Sequence, residues 1–308
     1  MSDTTDKDFR CGFVAVVGRP NTGKSTLVNT ILNKKIAIVT KIPQTTRHAI
    51  RGILNDKNAQ IIFVDTPGIH LSKDRMGRIM NKTSRQMIED VDVVVHLMDM
   101  QRSPGKEEAM IVDTLKTLKK PIILGLNKID LGDKFIQEYL DLWQKAKQKT
   151  IAELFDTIRV VPLSGLKRIH IQELIDTLIE FLPESVPLFP TDVVSDFPQR
   201  LLLAEIVREK LLHRLKEEIP YGLSVSVEEI IEQRRKCVTI QMTVYVIRDS
   251  QKKIVIGHKG DMLKHAGTDA RKELEQLLGK RVYLDLIVKT KRDWREDRNI
   301  LKELGYLE

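Results

Sequence analysis

Gly18-Arg-Pro-Asn-Thr-Gly23-Lys24-Ser25 is the stretch on which the reading of this sequence turns. It follows a β-branched run, Phe13-Val-Ala-Val-Val17, and opens a helical pattern, the context that a GxxxxGK[ST] phosphate loop requires. Glycines let backbone N–H groups wrap phosphate oxygens, and the helix N-terminus adds positive potential. Gly18, Arg19, Pro20, Asn21, Thr22 and Gly23 then form a cradle, with Thr26 closing the motif. Lys24 reaches the β- and γ-phosphates, and the Ser25 hydroxyl is a Mg2+ ligand.

Outward from this loop, apolar runs alternate with amphipathic stretches: Ile61 to Val64, Val91 to Met98, Pro121 to Leu126 and Ile158 to Leu163. Such runs predict a parallel sheet covered on both faces, with ligands at the carboxyl ends of its strands. Polar groups stand at those ends. Asp65-Thr66-Pro67-Gly68 offers a carboxylate to Mg2+ through water and the Gly68 N–H to a γ-phosphate. Asn127-Lys128-Ile129-Asp130 places an aspartate where it can accept guanine N1–H and the 2-amino group, while Asn127 braces the loop and the Lys128 stem lies against the base. Adenine has neither donor, and an unpaired buried carboxylate would cost at least ~1–3 kcal/mol, which selects GTP over ATP. Alone, DxxG or NKxD reads as an ordinary polar loop; their order and their place at strand ends decide otherwise.

Ser164-Gly165-Leu166 fills the place of a last guanine loop, where a backbone N–H points at guanine O6. Pro43-Gln44-Thr45-Thr46-Arg47 lies where a mobile switch supplies a threonine to Mg2+; Thr46 is the first choice and Thr45 the alternative. The expected metal set is Ser25, Thr46 and Asp65. Lys24, Thr46 and Gly68 carry the catalytic role, by positioning and electrostatics. Ile69 stands where a Ras-like switch has a water-orienting glutamine, so slow intrinsic hydrolysis is expected.

The chain has 308 residues, enough for two domains, and 51 Lys+Arg against 43 Asp+Glu give a net charge of +8. That balance suits a polyanionic partner. Cys11 and Cys237 are far apart, with no pattern for a disulfide framework or zinc. The apolar runs are too short for a bilayer crossing and the first residues are polar, which predicts a cytoplasmic protein. His70, His96 and His170 lack metal-ligand spacing, and Met76, Met80 and Met87 follow a helical core pattern.

Pro183, Pro187, Pro190 and Pro198 mark a linker, giving a first domain over residues 1–182, a linker over 183–198 and a second domain over 199–308. The second domain shows a helical stretch from Arg200 to Lys216, alternating strands from Leu223 and Cys237, a helix from Asp261 to Leu278, a strand from Arg281 to Lys289, and a helical tail from Asp293. Trp294, Leu301 and Leu304 are expected to dock that tail. Ile254-Val-Ile-Gly257-His258-Lys259-Gly260 reads as apolar strand residues, then a GxxG loop, then a helix. Residues 248–292 hold twelve Lys/Arg against six Asp/Glu. A solvated charged face would account for part of that excess.

The first half is similar to translation-factor-class small GTPases, and the spellings GRPNTGKST, PQTTRH and DTPGIH resemble the Era-type subfamily, in which a type II KH domain follows. The resemblance runs from about Cys11 to Leu307. It implies an α/β P-loop GTPase domain with a mostly parallel sheet, followed by an α+β KH domain. It also implies a GTP/GDP switch that grips the single-stranded 3′ end of small-subunit rRNA and assists maturation of the small ribosomal subunit. Ile256, Gly257, His258, Lys259, Gly260 and Lys264 are the RNA contacts this implies, since a GxxG loop clamps about four nucleotides. Similar GTPases with asparagine in the phosphate loop use K+, for which Asn21 would be the ligand. Peripheral association with the inner membrane face belongs to the same resemblance, although no lipid anchor or membrane-binding helix stands in the sequence. Gly165 departs from the family's usual alanine but keeps its N–H. The rival reading makes the second domain a protein-docking module; the intact GxxG and the single phosphate loop favour RNA.

Overall fold

The apolar runs form the centre of a six-stranded sheet. In the computed structural model, residues 9–43, 45–68, 74–233 and 237–307 are described. β1 (Arg10–Val17) leads through the glycine loop into α1 (Lys24–Leu32), followed by β2 (Ile50–Asn55), β3 (Ala59–Asp65) and α2 (Arg75–Asp90). Next come β4 (Val93–Asp99), α3 (Lys106–Leu115), β5 (Ile122–Asn127), α4 (Ile136–Lys147), β6 (Ile158–Leu163) and α5 (Ile171–Phe181). The strand order is β2-β3-β1-β4-β5-β6. Every pairing is parallel except β2 with β3. The expected runs account for five strands; β2 is additional, and its sequence, Ile-Arg-Gly-Ile-Leu-Asn, alternates too poorly to mark it.

Burial on both faces explains why the central strands are apolar throughout: all seven residues of β4 are buried. One face presents Val94, Met98, Leu124 and Leu126 to Ile111, Val112 and Leu115 of α3 and to Tyr139 and Trp143 of α4. Parallel order brings the carboxyl ends of β1, β3, β4, β5 and β6 to one edge, with Asp99 in register with Asn127 and Asn127 with Leu163.

The chain divides into two units, and the proline-rich stretch does not act as the expected linker: the first unit runs through Asp196, the second begins at Phe197. Proline lacks an N–H but keeps its carbonyl, and its neighbours keep both groups. Pro183 accepts from the Cys11 N–H (3.1 Å), the Ile53 N–H donates to Val194 (2.8 Å), and Gln60 receives the N–H groups of Leu188 and Phe189 (2.8 and 2.9 Å). Phe189 and Val193 cover Cys11, Ile53 and Ile62.

The second unit consists of residues 197–308 together with Ile38–Thr45 and Lys73–Ile79, two segments that the expected boundary placed in the first domain. It contains α6 (Gln199–Leu212), β7 (Ser224–Gln233), β8 (Cys237–Val246), α7 (Asp249–Ile256), α8 (Asp261–Leu278), β9 (Arg281–Thr290) and α9 (Arg298–Glu303). β7 and β8 pair antiparallel, β8 and β9 parallel. Leu203, Val207 and Leu211 of α6 and Ala266, Ala270 and Leu274 of α8 form the core with the sheet. Ile254, Val255 and Ile256 lie in a helix, correcting the strand expected before the GxxG loop. The Gln251 side chain starts that helix by accepting from the N–H groups of Ile247 and Arg248 (3.0 and 3.2 Å), and eight residues suffice to turn Val255 inward. The tail helix starts later than Asp293, at Arg298, where the Asp297 side chain accepts from the N–H groups of Asn299 and Ile300. Trp294 is fully buried and donates to the Gly222 carbonyl (2.9 Å), so it anchors the tail.

Candidate nucleotide site and RNA loop

At the edge where the strands end, the phosphate loop curls around its own lysine. Lys24 Nζ donates to the carbonyls of Gly18 and Arg19, both at 2.9 Å, and Thr22 Oγ1 donates to the Arg19 carbonyl (3.0 Å). Gly23 has φ +101°, and a Cβ there would sit 2.6 Å from Asn127 Nδ2, so only glycine fits. Burial pulls the Lys24 ammonium below its ordinary value, against opposing pulls from Asp65 and Glu108. A buried cation of this kind is stabilised by an anionic group entering the loop.

Beside it, three oxygen-bearing side chains converge. Ser25 Oγ donates to Asp65 Oδ2 (2.6 Å) and lies 2.8 Å from Thr46 Oγ1. Asp65 is fully buried, and its Oδ1 has no hydrogen-bond partner among the described residues. Burial pushes its carboxyl above the usual range, more than Ser25, Lys24 and Thr46 together pull it down. An under-compensated carboxylate between two hydroxyls fits a hard divalent cation with oxygen ligands. Among the described residues no group of three or more His, Cys, Asp or Glu side chains could hold a metal. Thr45, the alternative to Thr46, is turned elsewhere: its hydroxyl donates to the Ile42 carbonyl (2.6 Å) and meets Thr40 Oγ1 (2.6 Å). Gly68 is adjacent to the lysine, a Cβ there falling 3.7 Å from Lys24 Nζ. Thr66 Oγ1 donates to the Val16 carbonyl (3.1 Å), and Pro67 accepts from Ser84 (2.8 Å). Gln44, Ile69 and His70 lie outside the described residues.

Asn127 is the keystone of the base side. Its Nδ2 donates to the Thr22 carbonyl (2.7 Å) and its Oδ1 accepts from the Gly165 N–H (2.9 Å), joining phosphate loop, β5 and the Ser164 loop. This bond redirects the Gly165 N–H, which the sequence reading aimed at guanine O6; the next amide, Leu166 N–H, donates to no described residue. Lys128 Nζ bridges the Asn21 carbonyl (2.9 Å) and Asp99 Oδ2 (2.7 Å). Asp130 follows on a single 3-10 turn and is half-buried. Asp99 was missed by motif reading; its signal is an acid ending an apolar strand at the same edge as Asp65.

In the second unit, Gly257, His258, Lys259 and Gly260 join α7 to α8. His258, Lys259 and Lys264 are exposed. Gly260 has φ +85° with nothing within 4 Å of a Cβ position, whereas at Gly257 a Cβ would stand 2.7 Å from Met262 Cβ. Ile256 packs against the core, and Ile254, 53% exposed, is the apolar residue presented to solvent before the loop. Helical geometry turns Ile256, among the expected RNA contacts, towards the core and Ile254, two residues before it, outward.

The family described as 50S ribosome-binding GTPase matches residues 13–128, and the KH domain family matches residues 218–295. A crystal structure of Era in complex with MgGDPNP and nucleotides 1506–1542 of 16S ribosomal RNA is 39% identical, with a TM-score of 0.89 over 97% of this chain and 100% of that one. The chain belongs to the Era family of GTPases. An Era variant from Aquifex aeolicus bound to GDP·AlF4− is 38% identical, with the same TM-score and the same coverage of both chains. The likeness spans the GTPase domain with its mostly parallel sheet and the KH domain. No helix among the described residues is long and apolar enough to cross a membrane.

Proposed function

We propose that the protein is a GTP-hydrolysing switch that binds the 3′ end of small-subunit rRNA through its KH domain and assists maturation of the small ribosomal subunit. The observation that carries this reading is likeness over nearly the whole chain to an Era structure holding both a GTP analogue and the 3′ nucleotides of 16S rRNA. The site geometry supports the same chemistry. Phosphates enter the cradle of Gly18, Arg19, Pro20, Asn21, Thr22 and Gly23, replacing backbone carbonyls as partners of Lys24. Ser25, Thr46 and Asp65 would hold Mg2+, which supplies charge neutralisation at the β- and γ-phosphate oxygens. Asp130 takes the two guanine donors, and the Leu166 N–H takes O6. No side chain acts as a general base: Lys24, Thr46 and the Gly68 N–H orient the γ-phosphate and stabilise its charge, so turnover is slow without an added positioning group. Asn21 is the ligand for K+, and faster GTP turnover in KCl than in NaCl is the expected result.

RNA is gripped where Gly257 to Gly260 and the N-terminus of α8 face a phosphate backbone, with Lys259 and Lys264 supplying charge and Ile254 an apolar contact for a base. The chain passes from the second unit into the first between Thr45 and Thr46, and within the second unit Arg208 donates to the Thr45 carbonyl. Reordering of Thr46 by GTP is thereby communicated along the backbone to α6. On this reading the protein works in the cytoplasm, where small subunits assemble, and contact with the inner membrane face is peripheral. Fluorescence anisotropy of a labelled single-stranded RNA matching the small-subunit 3′ end, titrated with protein in a GTP analogue and in GDP at fixed salt, tests the reading. Affinity that differs between nucleotides is expected; no binding in either state would make the second domain a protein-docking module.

A further inference from the structure

The cradle uses Arg19 through its backbone; its side chain enters a separate, buried polar chain. Arg19 Nε faces Glu108 Oε2 of α3 at 2.5 Å, Nη1 donates to the Ser103 carbonyl (3.3 Å), and Nη2 donates to the Tyr139 hydroxyl of α4. That hydroxyl in turn donates a hydrogen bond to the Arg102 carbonyl (2.9 Å). Glu108 is fully buried, and its second oxygen meets His96 Nε2 of β4 at 2.7 Å. His96 Nδ1 in turn lies 3.1 Å from the indole nitrogen of Trp143. An indole N–H can only donate, so His96 Nδ1 is the acceptor and the ring proton sits on Nε2, pointed at Glu108. Burial raises the Glu108 carboxyl, but the His96 hydrogen bond and the Arg19 charge outweigh it and hold the group below its usual range. One buried carboxylate thus ties the phosphate loop to a strand and two helices.

The peptide at Arg19 is also the one whose carbonyl accepts from Lys24 and Thr22. We infer that Glu108 is a positioning residue for nucleotide binding: by holding the Arg19 guanidinium against α3 and α4, it presets the curvature of the phosphate loop before phosphate arrives. Tyr139 and His96 support it from either side. The inference rests on residues 18–25 being the phosphate cradle. Ordering done in the free protein need not be done on binding, so its loss weakens the diphosphate and the triphosphate alike.

The test measures Kd for fluorescent GDP and a GTP analogue, GTP turnover and Tm on the full chain. Glu108→Gln keeps the shape of the side chain and removes its charge. The expected result is about tenfold weaker binding of both nucleotides and a raised KM, with kcat within about twofold. Tyr139→Phe leaves the ring in place and should weaken both by about threefold. Arg19→Met should match Glu108→Gln, and the double variant should lose no more than either single one. A purely structural role lowers Tm and leaves Kd of the folded protein unchanged; that outcome overturns the inference, as does additivity in the double variant. If Glu108→Gln does not fold, Arg19→Met and Tyr139→Phe decide, and wild-type affinity in both is a negative answer. Failure of the wild-type protein to bind guanine nucleotides would instead remove the cradle reading itself.

Discussion

The phosphate loop and the loop between α7 and α8 use the same device, glycines leading into a helix N-terminus, and finish it in opposite ways. Around the first, Lys24, Thr22, Asp65 and Asn127 are all buried, and each is tied to backbone or side chain across the strand ends. Around the second, His258, Lys259 and Lys264 are exposed, and one glycine faces open space. An enclosed, internally paired pocket discriminates between small ligands, because a wrong ligand leaves buried groups unpaired. An open loop offers backbone and charge to a polymer and relies on many weak contacts. Substitutions should therefore act sharply and selectively on the first, and gradually on the second.

The largest effect is expected at Asp130. Asp130→Asn should weaken GTP binding by about 10³-fold and shift preference towards xanthosine nucleotides, as competition titration would show. An unchanged preference would remove the sharpness claimed for the pocket. Gly260→Asp comes next: its left-handed backbone admits aspartate at modest cost and the space is open, so the variant folds and places negative charge against RNA. RNA affinity should fall about 10–100-fold with GTP turnover unchanged. Gly257→Asp is the poorer probe, since it collides with Met262.

Lys264→Ala should weaken RNA binding by about two- to threefold and reduce the salt slope by about one, the gradual response expected of an open loop. The smallest effect concerns stability. The folded protein raises the Asp65 carboxyl, so it holds that proton more tightly than the unfolded chain does, and stability falls as pH rises from the ordinary aspartate range through the folded value. Asp65→Asn removes that loss. Without nucleotide or Mg2+, its Tm should exceed the wild-type value by about 2–4 °C at pH 8, and the gap should close as pH falls. A gap independent of pH would mean that the burial of Asp65 carries no electrostatic cost.

Much of this contrast was legible in the linear chain, because phosphate and guanine recognition need particular groups at strand ends, and strand ends can be read from apolar runs. Asp65 and Asn127 fall where those runs stop, and Ser25 follows the glycine loop after the first of them. The partners of these groups were less visible. α6 shows its apolar stripe at Leu203, Val207 and Leu211, while Glu205, Arg208 and Glu209 look like solvent-facing charges; all three are buried. Arg208 pairs with Glu205 and the Thr45 carbonyl, and Glu209 accepts from the Val39 N–H (2.9 Å), so segments distant in sequence supply what local periodicity cannot show. Glu108 and His96 were hidden for the same reason.

Sequence alone was sufficient for five of the six strands of the first unit and for the two glycine loops that lead into helices, since each depends on local chemistry at a local spacing. Tertiary structure decided the rest: that Thr46 and not Thr45 meets Ser25, that Asn127 takes the Gly165 N–H, that Pro183, Pro187 and Pro190 lie on the first unit, and that the buried Glu108 pairs with Arg19. Each of these is a choice between partners far apart in the chain, and such choices are made by the geometry of packing, where a hydrogen bond formed with one group is denied to another.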